Sequence, residues 1–256
     1  MDIFLGGLPL WTFIIACGIA FLAGLVKGTI GFALPLVMIV LLSSFMSPHM
    51  ALAALILPVL ATNLQQSLRF GVAPAVASAR KFWRIIVATV IGMIISAPFV
   101  VVLPENTMFI VLGAVVLFFS VLQLSGWRPE IPPNWNNPIQ FFAGLVGGLS
   151  GGISGVWGPA NITYLLAARI EPRETVRVLS VIFLIGSVLL VVLHLRSGLL
   201  NAQTLPLSFA MLFPAALGMI FGSAVQDRLD AERFRRYALI MLGVIAINLL
   251  RRGFLG

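Results

Sequence analysis

Apolar residues fall in ten segments along the chain, at about 10 to 26, 30 to 45, 50 to 68, 84 to 103 and 107 to 125, then at about 138 to 150, 156 to 168, 175 to 195, 205 to 225 and 236 to 250. Segments three to five and eight to ten approach the ~20 residues a helix needs to cross ~30 Å of hydrocarbon. The first two segments of each set are shorter, which predicts broken or re-entrant helices at the start of each half.

The two sets are related to each other. Residues from Phe21, FLAGLVKGTIG, match those from Phe141, FFAGLVGGLSG, at seven of eleven positions. Downstream, Pro35 pairs with Pro159, Pro48 with Pro172, LRFG at Leu68 with LRSG at Leu195, and GMI at Gly92 with GMI at Gly218. An internal duplication of this kind is the sequence trace of a carrier built from two structural repeats. It divides the chain into an N-terminal repeat over 1–125, a linker over 126–137 rich in proline and asparagine, and a C-terminal repeat over 138–256.

Composition places these segments in a bilayer. With 60% hydrophobic and 9% charged residues and a mean hydropathy of +1.10, the chain has too little polar surface for a water-soluble globule. The expected fold is therefore an all-α polytopic membrane protein, with about five helical elements in each repeat. The N-terminus has no basic stretch, so its first segment reads as a retained helix rather than a cleaved signal. Cys17 is the single cysteine, which excludes an internal disulfide.

The net charge of +8 changes the picture only through its distribution. The basic residues sit in short loops and not in one stripe with interleaved aromatics, which argues against nucleic acid as a partner. With five elements per repeat, thirteen of the sixteen Lys and Arg residues, Lys27 included, fall on one face, leaving Arg196, Arg251 and Arg252 on the other. Counting each short pair as one kinked span brings the bias close to parity. The positive-inside rule prefers the first arrangement, so the two repeats are expected to be inverted, with both termini outside the cytoplasm.

Candidate chemistry gathers at the segment junctions. Six glycines and Pro159 punctuate 147–159, and Gly28, Gly31 and Pro35 do the same in the first half. Glycine costs a helix interior roughly 1 kcal/mol and proline roughly 3, so a break is expected in each stretch. Half-helix N-termini at about 28–33 and 151–161 would present N–H groups to an anion at the midplane. Gly28, Gly31, Gly151, Gly152 and Gly158 are then backbone contributors, Thr29, Ser154 and Asn161 donors, and Trp157 a wall. The competing reading is that the glycines serve close helix packing. Lys27 is either the charge that meets the anion or an interfacial lysine that snorkels. Asn63, Gln66 and Arg69 lie three apart on one helical face and suit oxyanion coordination, although Arg69 equally suits a flanking charge. His194 is either a proton-coupling group or a histidine hydrogen-bonded between helices.

All eight carboxylates fall at termini or in loops, which argues against a cation pump with an intramembrane acidic relay. The chain has no GxxxxGK[ST] loop, no metal-ligand cluster and no nucleophile–base pair, so neither an enzyme nor a bound cofactor or metal is expected.

The duplicated AGLVKGTIGFALPL and AGLVGGLSGGISGVWGPANITYLLA, each followed by a proline-marked turn and a long helix, resemble the TauE/SafE family of sulfite exporters and related permeases. The resemblance spans about residues 10 to 250. It implies a secondary transporter of sulfite or another sulfur-containing oxyanion or organosulfonate, in a bacterial inner membrane. With no carboxylate inside the apolar segments, a coupling ion could be H⁺, carried on His194 or on the substrate, or Na⁺, held by backbone carbonyls at the breaks. An uncoupled anion channel, or a permease for small organic acids, is the alternative. Where many members carry a fuller glycine run in the first repeat, this chain has Gly31, Phe32 and Ala33.

Overall fold

The computed structural model describes residues 7–68, 71–126, 131–226 and 230–255. Among them, the chain forms α1 (Leu10–Ile30), α2 (Leu34–Leu42), α3 (Pro48–Leu68), α4 (Val72–Lys81), α5 (Trp83–Ser96), α6 (Glu105–Leu124), α7 (Asn136–Ser154), α8 (Gly158–Ala167), α9 (Pro172–Arg196), α10 (Leu205–Val225) and α11 (Ala231–Leu255). A 3₁₀ turn, Ala97–Val101, extends α5, and no strand occurs among the described residues. Seven helices are long and apolar enough to cross a membrane: α1, α3, α5 with its 3₁₀ turn, α6, α9, α10 and α11. The chain is an all-α integral membrane protein.

Two expectations about the elements are corrected. Both opening segments of each half were expected to be short, yet α1 has 21 residues and α7 has 19. Of the four opening helices, only α2, with 9 residues, and α8, with 10, are too short to span. At the helical rise they cover about 15 Å or less of the ~30 Å required. The second correction is α4, which no apolar segment announced. It is amphipathic, ends on Arg80 and Lys81, and is tied to α9 where Lys81 pairs with Glu174 at 2.8 Å.

Glycine explains why α1 and α7 continue through their glycine-dense ends. A Cβ on Gly24 or Gly28 would collide with the α10 backbone at Ala215, Met219 and Ser223, and one on Gly218 or Gly222 would strike α1 at Phe21 and Leu25. The same arrangement recurs between α7 and α5, where Gly144, Gly148 and Gly152 lie against Ile85, Thr89 and Ser96. Backbone approach this close supplies dispersion contacts that lipid cannot, and it outweighs the intrinsic helix penalty of glycine.

These pairs also set direction. Contact positions ascend together, so α1 runs parallel to α10, and α7 runs parallel to α5. Lys81 just before α5 meets Glu174 at the start of α9, while Gly152 near the end of α7 meets His194 near the end of α9. Helices α5, α7 and α9 therefore run one way. Helix α10 doubles back from α9, and α1 follows it. The pairing is reciprocal: the first helix of each half packs on a helix of the other half, and α6 packs on α11.

The core lies around α2, whose Leu34, Val37, Met38, Ile39, Val40 and Leu42 are fully buried, as a helix apolar on every side must be. Beside it, α3 carries an interior proline, Pro58, which leaves the Ala54 carbonyl without its usual donor. Ser208 of α10 repairs the gap by donating its hydroxyl to that carbonyl at 3.4 Å and accepting from the Leu57 N–H at 3.1 Å. Buried polar backbone is tolerated in a bilayer only with such a partner. Ser208→Ala is expected to destabilise the protein by about 1–2 kcal/mol, read as a lower thermal midpoint in detergent. An unchanged midpoint would show that packing alone holds the α3 bend.

Candidate functional site

Helix α1 ends where Gly31 turns left-handed at φ +84°, its N–H returning to the Lys27 carbonyl at 2.7 Å. Ala33 is left-handed too, at φ +78°. That conformation strains a residue with a Cβ. Helix α2 then starts at Leu34, with Pro35 at a first-turn position that needs no N–H partner. In the second half Gly155 turns left-handed at φ +72°, and α8 starts at Gly158 with Pro159 next. The breaks are thus confined to 31–33 and 155–157. Gly28 and Thr29, and likewise Gly151, Gly152 and Ser154, belong to the final turns of the preceding helices and not to half-helix N-termini as the glycine density suggested.

Both breaks line one cavity. Phe32, Ala33 and Pro35 contribute from the first, Val156, Trp157, Gly158 and Pro159 from the second, and Leu36, Val59, Phe183, Lys27 and Asn63 complete it. Phe32 and Val156, Ala33 and Trp157, and Val59 and Phe183 are each related by the same sequence offset that relates Pro35 to Pro159. The space left between these side chains admits about one water molecule.

Lys27 is the charged residue of the cavity, and only 2% of it is exposed. Its ammonium donates to Thr62 Oγ1 at 3.0 Å and to Asn63 Oδ1. Both acceptors are held in place: Thr62 donates onward to the Pro58 carbonyl at 2.7 Å, and Asn63 Nδ2 donates to the Phe183 carbonyl of α9 at 3.0 Å. Gln66, one turn further along α3, donates to the Gly31 carbonyl at 3.1 Å and so ties α3 to the first break. None of these partners is a carboxylate. The ion pairs formed among the described residues, Lys81 with Glu174 and Arg233 with Asp230, lie elsewhere. Burial overturns two readings of Lys27: it is not an interfacial lysine, and it does not belong to a loop in the charge count. An apolar stretch on both sides hid this, because a buried lysine and a flanking one look alike in sequence.

The second half fills the corresponding space differently. At the offset that pairs the prolines, Lys27 corresponds to Gly151 and Ala33 to Trp157, so a long and a small side chain exchange places. The Trp157 side chain rests against Gly151 and Gly186, where an added Cβ would come within 2.8 Å of its Cβ and 2.7 Å of its ring, and the ring meets Phe183 edge-on at 6.3 Å between centroids. Trp157 Nε1 is buried without a hydrogen-bond partner.

The remaining candidates divide by position. Ser154 Oγ accepts from the Val156 N–H at 3.1 Å, and Asn161 Nδ2 donates to the Trp157 carbonyl at 2.9 Å, so both brace the second break. Gly28 and Gly152 face α10 and α5 across the helix seams, and Thr29 reaches the Gly222 carbonyl in the first of them at 3.4 Å. Arg69 lies outside the described residues. His194 is fully buried away from the cavity, with Nε2 at 3.1 Å from the Gly152 carbonyl and Nδ1 at 3.4 Å from Ser197 Oγ. Donation from Nε2 to the carbonyl leaves Nδ1 as the acceptor, a tautomer assigned from this network. Sequence reasoning missed Val59 and Phe183. The repeat offset was the signal that could have found them.

Residues 16–249 match the family model described as sulfite exporter TauE/SafE. No curated protein and no solved structure matches the chain.

Proposed function

The chain belongs to the sulfite exporter TauE/SafE family of membrane transporters, and from that premise we propose that it carries a small anion, sulfite or another sulfur oxyanion or organosulfonate, by alternating access around the cavity between the two helix breaks. One observation carries the reading: Lys27 holds an ammonium in the protein interior with neutral partners only. A buried charge is costly unless a counter-charge completes it, and an anion in the cavity supplies one. The N-termini of α2 and α8 add N–H groups and the positive ends of their dipoles. Asn63 orients the ammonium, Gln66 holds the first break, and Trp157 with Phe183 walls the opposite side.

The cavity is too tight for a tetrahedral oxyanion together with its water, so side chains withdraw as the cargo enters. Phe32, Trp157 and Phe183 are the bulky ones. Alternating access then consists of one half rocking against the other about the cavity. The reading of the halves as inverted repeats over 1–125 and 138–256, joined by 126–137, is supported by the opposed directions of α1 and α7 and by the offset-related lining pairs. Basic residues at the start of α5 and α9 favour that end as cytoplasmic in a bacterial inner membrane, with both termini outside. In this scheme export moves the anion away from the basic end. Coupling to H⁺ would run through His194 or the cargo itself, and coupling to Na⁺ through carbonyls at the breaks.

A thermal-shift screen of purified protein against sulfite, thiosulfate, sulfate, sulfoacetate, taurine and lactate tests the assignment. Saturable stabilisation by a sulfur oxyanion, with concentrative flux in proteoliposomes, is the expected result. Flux that never exceeds the imposed gradient would favour a channel, and stabilisation by lactate alone would move the cargo to the organic acids.

A further inference from the structure

Trp157 lines the central cavity, is 2% exposed, and has an indole N–H that meets no acceptor among the described residues. On the reading of that cavity as an anion site, we infer that this N–H is a hydrogen-bond donor to the cargo. The indole leaves its seat on Gly186 as the cavity opens, and the anion is then held between Lys27 of the first half and Trp157 of the second.

Buried donors in folded proteins are nearly always paired, and a bilayer offers no bulk water to pair them. A buried tryptophan therefore ordinarily finds a partner for its N–H. A phenyl ring fills apolar space without that obligation, as Phe32 and Phe183 do in the same cavity. The helix beneath the indole offers no acceptor. Nε1 lies over Gly186, where an added Cβ would come within 2.8 Å of it. Gly186 sits in the middle of α9, whose carbonyls are committed to the helix's own donors. The Phe183 carbonyl accepts from Asn63 Nδ2 as well.

Lys27 also keeps a free donor. An ammonium carries three N–H groups. One is directed at Thr62 Oγ1, 3.0 Å away, and one at Asn63 Oδ1, which leaves the third for a ligand. Lys27 lies near the end of α1 and Trp157 immediately before α8, so the two free donors come from different halves of the chain. Asn63 brings them to one turn of α9: it accepts from Lys27 and donates at Phe183, three residues before the glycine that seats the indole. An oxyanion, with acceptor oxygens on different sides, can take both donors at once and so tie the halves together.

Space requires the indole to move. The cavity between these side chains admits about one water molecule, so cargo enters only if a wall withdraws. At Gly186 the ring rests on backbone with no side chain to interlock it, and Phe183 meets it edge-on. Of the bulky walls, Trp157 is the one whose displacement gains a hydrogen bond from the cargo. A ligand shifts a conformational equilibrium only by binding one state better than the other, and this bond is such a difference. An apolar ligand of the same size forms no such bond.

Trp157→Phe removes the unpaired N–H and keeps an aromatic wall. Its ligand-free thermal midpoint in detergent is expected to stay level or rise, while its apparent affinity for sulfite falls at least about fivefold. A second measurement does not depend on that variant. The other four tryptophans are replaced by Phe; of these, Trp11, Trp83 and Trp135 are at least half exposed, and Trp127 lies outside the described residues. The one remaining indole N–H resonance is expected to move downfield as sulfite binds, and to stay in place when Lys27→Met is added. Should Trp157→Phe fail to fold, the resonance decides alone. Sulfite bound as tightly by Trp157→Phe, or bound without moving the resonance, overturns the donor role and leaves the central anion site standing. Sulfite bound by neither the unmodified protein nor Trp157→Phe removes the central sulfite site, and the donor role with it.

Discussion

Lys27→Met is expected to abolish anion transport, with initial rates in proteoliposomes falling on the order of 100-fold, while the folded yield and thermal midpoint in detergent stay level or rise. The two halves of this result have different causes. A charge-assisted hydrogen bond to cargo is worth about 1.5–3 kcal/mol, which in a rate is roughly 10- to 150-fold. Without cargo, the same ammonium is a buried charge held by Thr62 and Asn63 alone, and replacing a buried ion by an apolar chain of similar volume is often neutral or stabilising. Methionine keeps the volume of the cavity wall. Transport and stability lost in parallel would assign Lys27 a structural role and remove the main support for the anion site.

Gly24→Val is expected to eliminate folded protein, whereas Gly18→Val on the same helix leaves it intact. A Cβ at Gly24 enters the backbone of α10 at Ala215 and Met219, and one at Gly18 meets nothing within 4 Å. Side chains can change rotamer to relieve overpacking at about 1–3 kcal/mol, but a carbonyl in a neighbouring helix cannot. The helices must separate, and with them a main interface between the two halves, at a cost above about 4 kcal/mol. Size-exclusion profiles of the two variants in detergent read the difference directly. A monodisperse Gly24→Val peak would mean that α1 and α10 have room to slide, which would make their seam a moving part.

These seams also explain why glycine density misled the placement of the half-helix starts. Counted by propensity, five glycines over 147–155 make a poor helix. Once α5 lies against them, four of those positions are contact surface, facing α5 or the folded-back chain at Trp157 and Asn161, and the helix continues to Ser154. The break appears only at Gly155, where the backbone turns left-handed. It follows that the competing packing account is correct for Gly28 and Gly152, whereas Gly31 caps the break itself.

Some features of this protein depend on chain order and solvent alone, and these the sequence determined: segment length and hydropathy make it a polytopic helical membrane protein, and the repeated Pro35 and Pro159 place two breaks in equivalent positions. The motifs around them also carry the family. Which side chains meet was decided by the tertiary structure, because a bilayer supplies no amphipathic pattern to mark the buried face of each helix. Lys27 became a buried cation only when α3 brought Thr62 and Asn63 against it. Likewise, Trp157 became its counterpart only when Gly151 and Gly186 made space for an indole. In sequence Val26 and Gly28 flank Lys27, and Val156 and Gly158 flank Trp157, so hydropathy cannot tell a lipid-facing position from a cavity-facing one; the close approach of backbones across the glycine seams does.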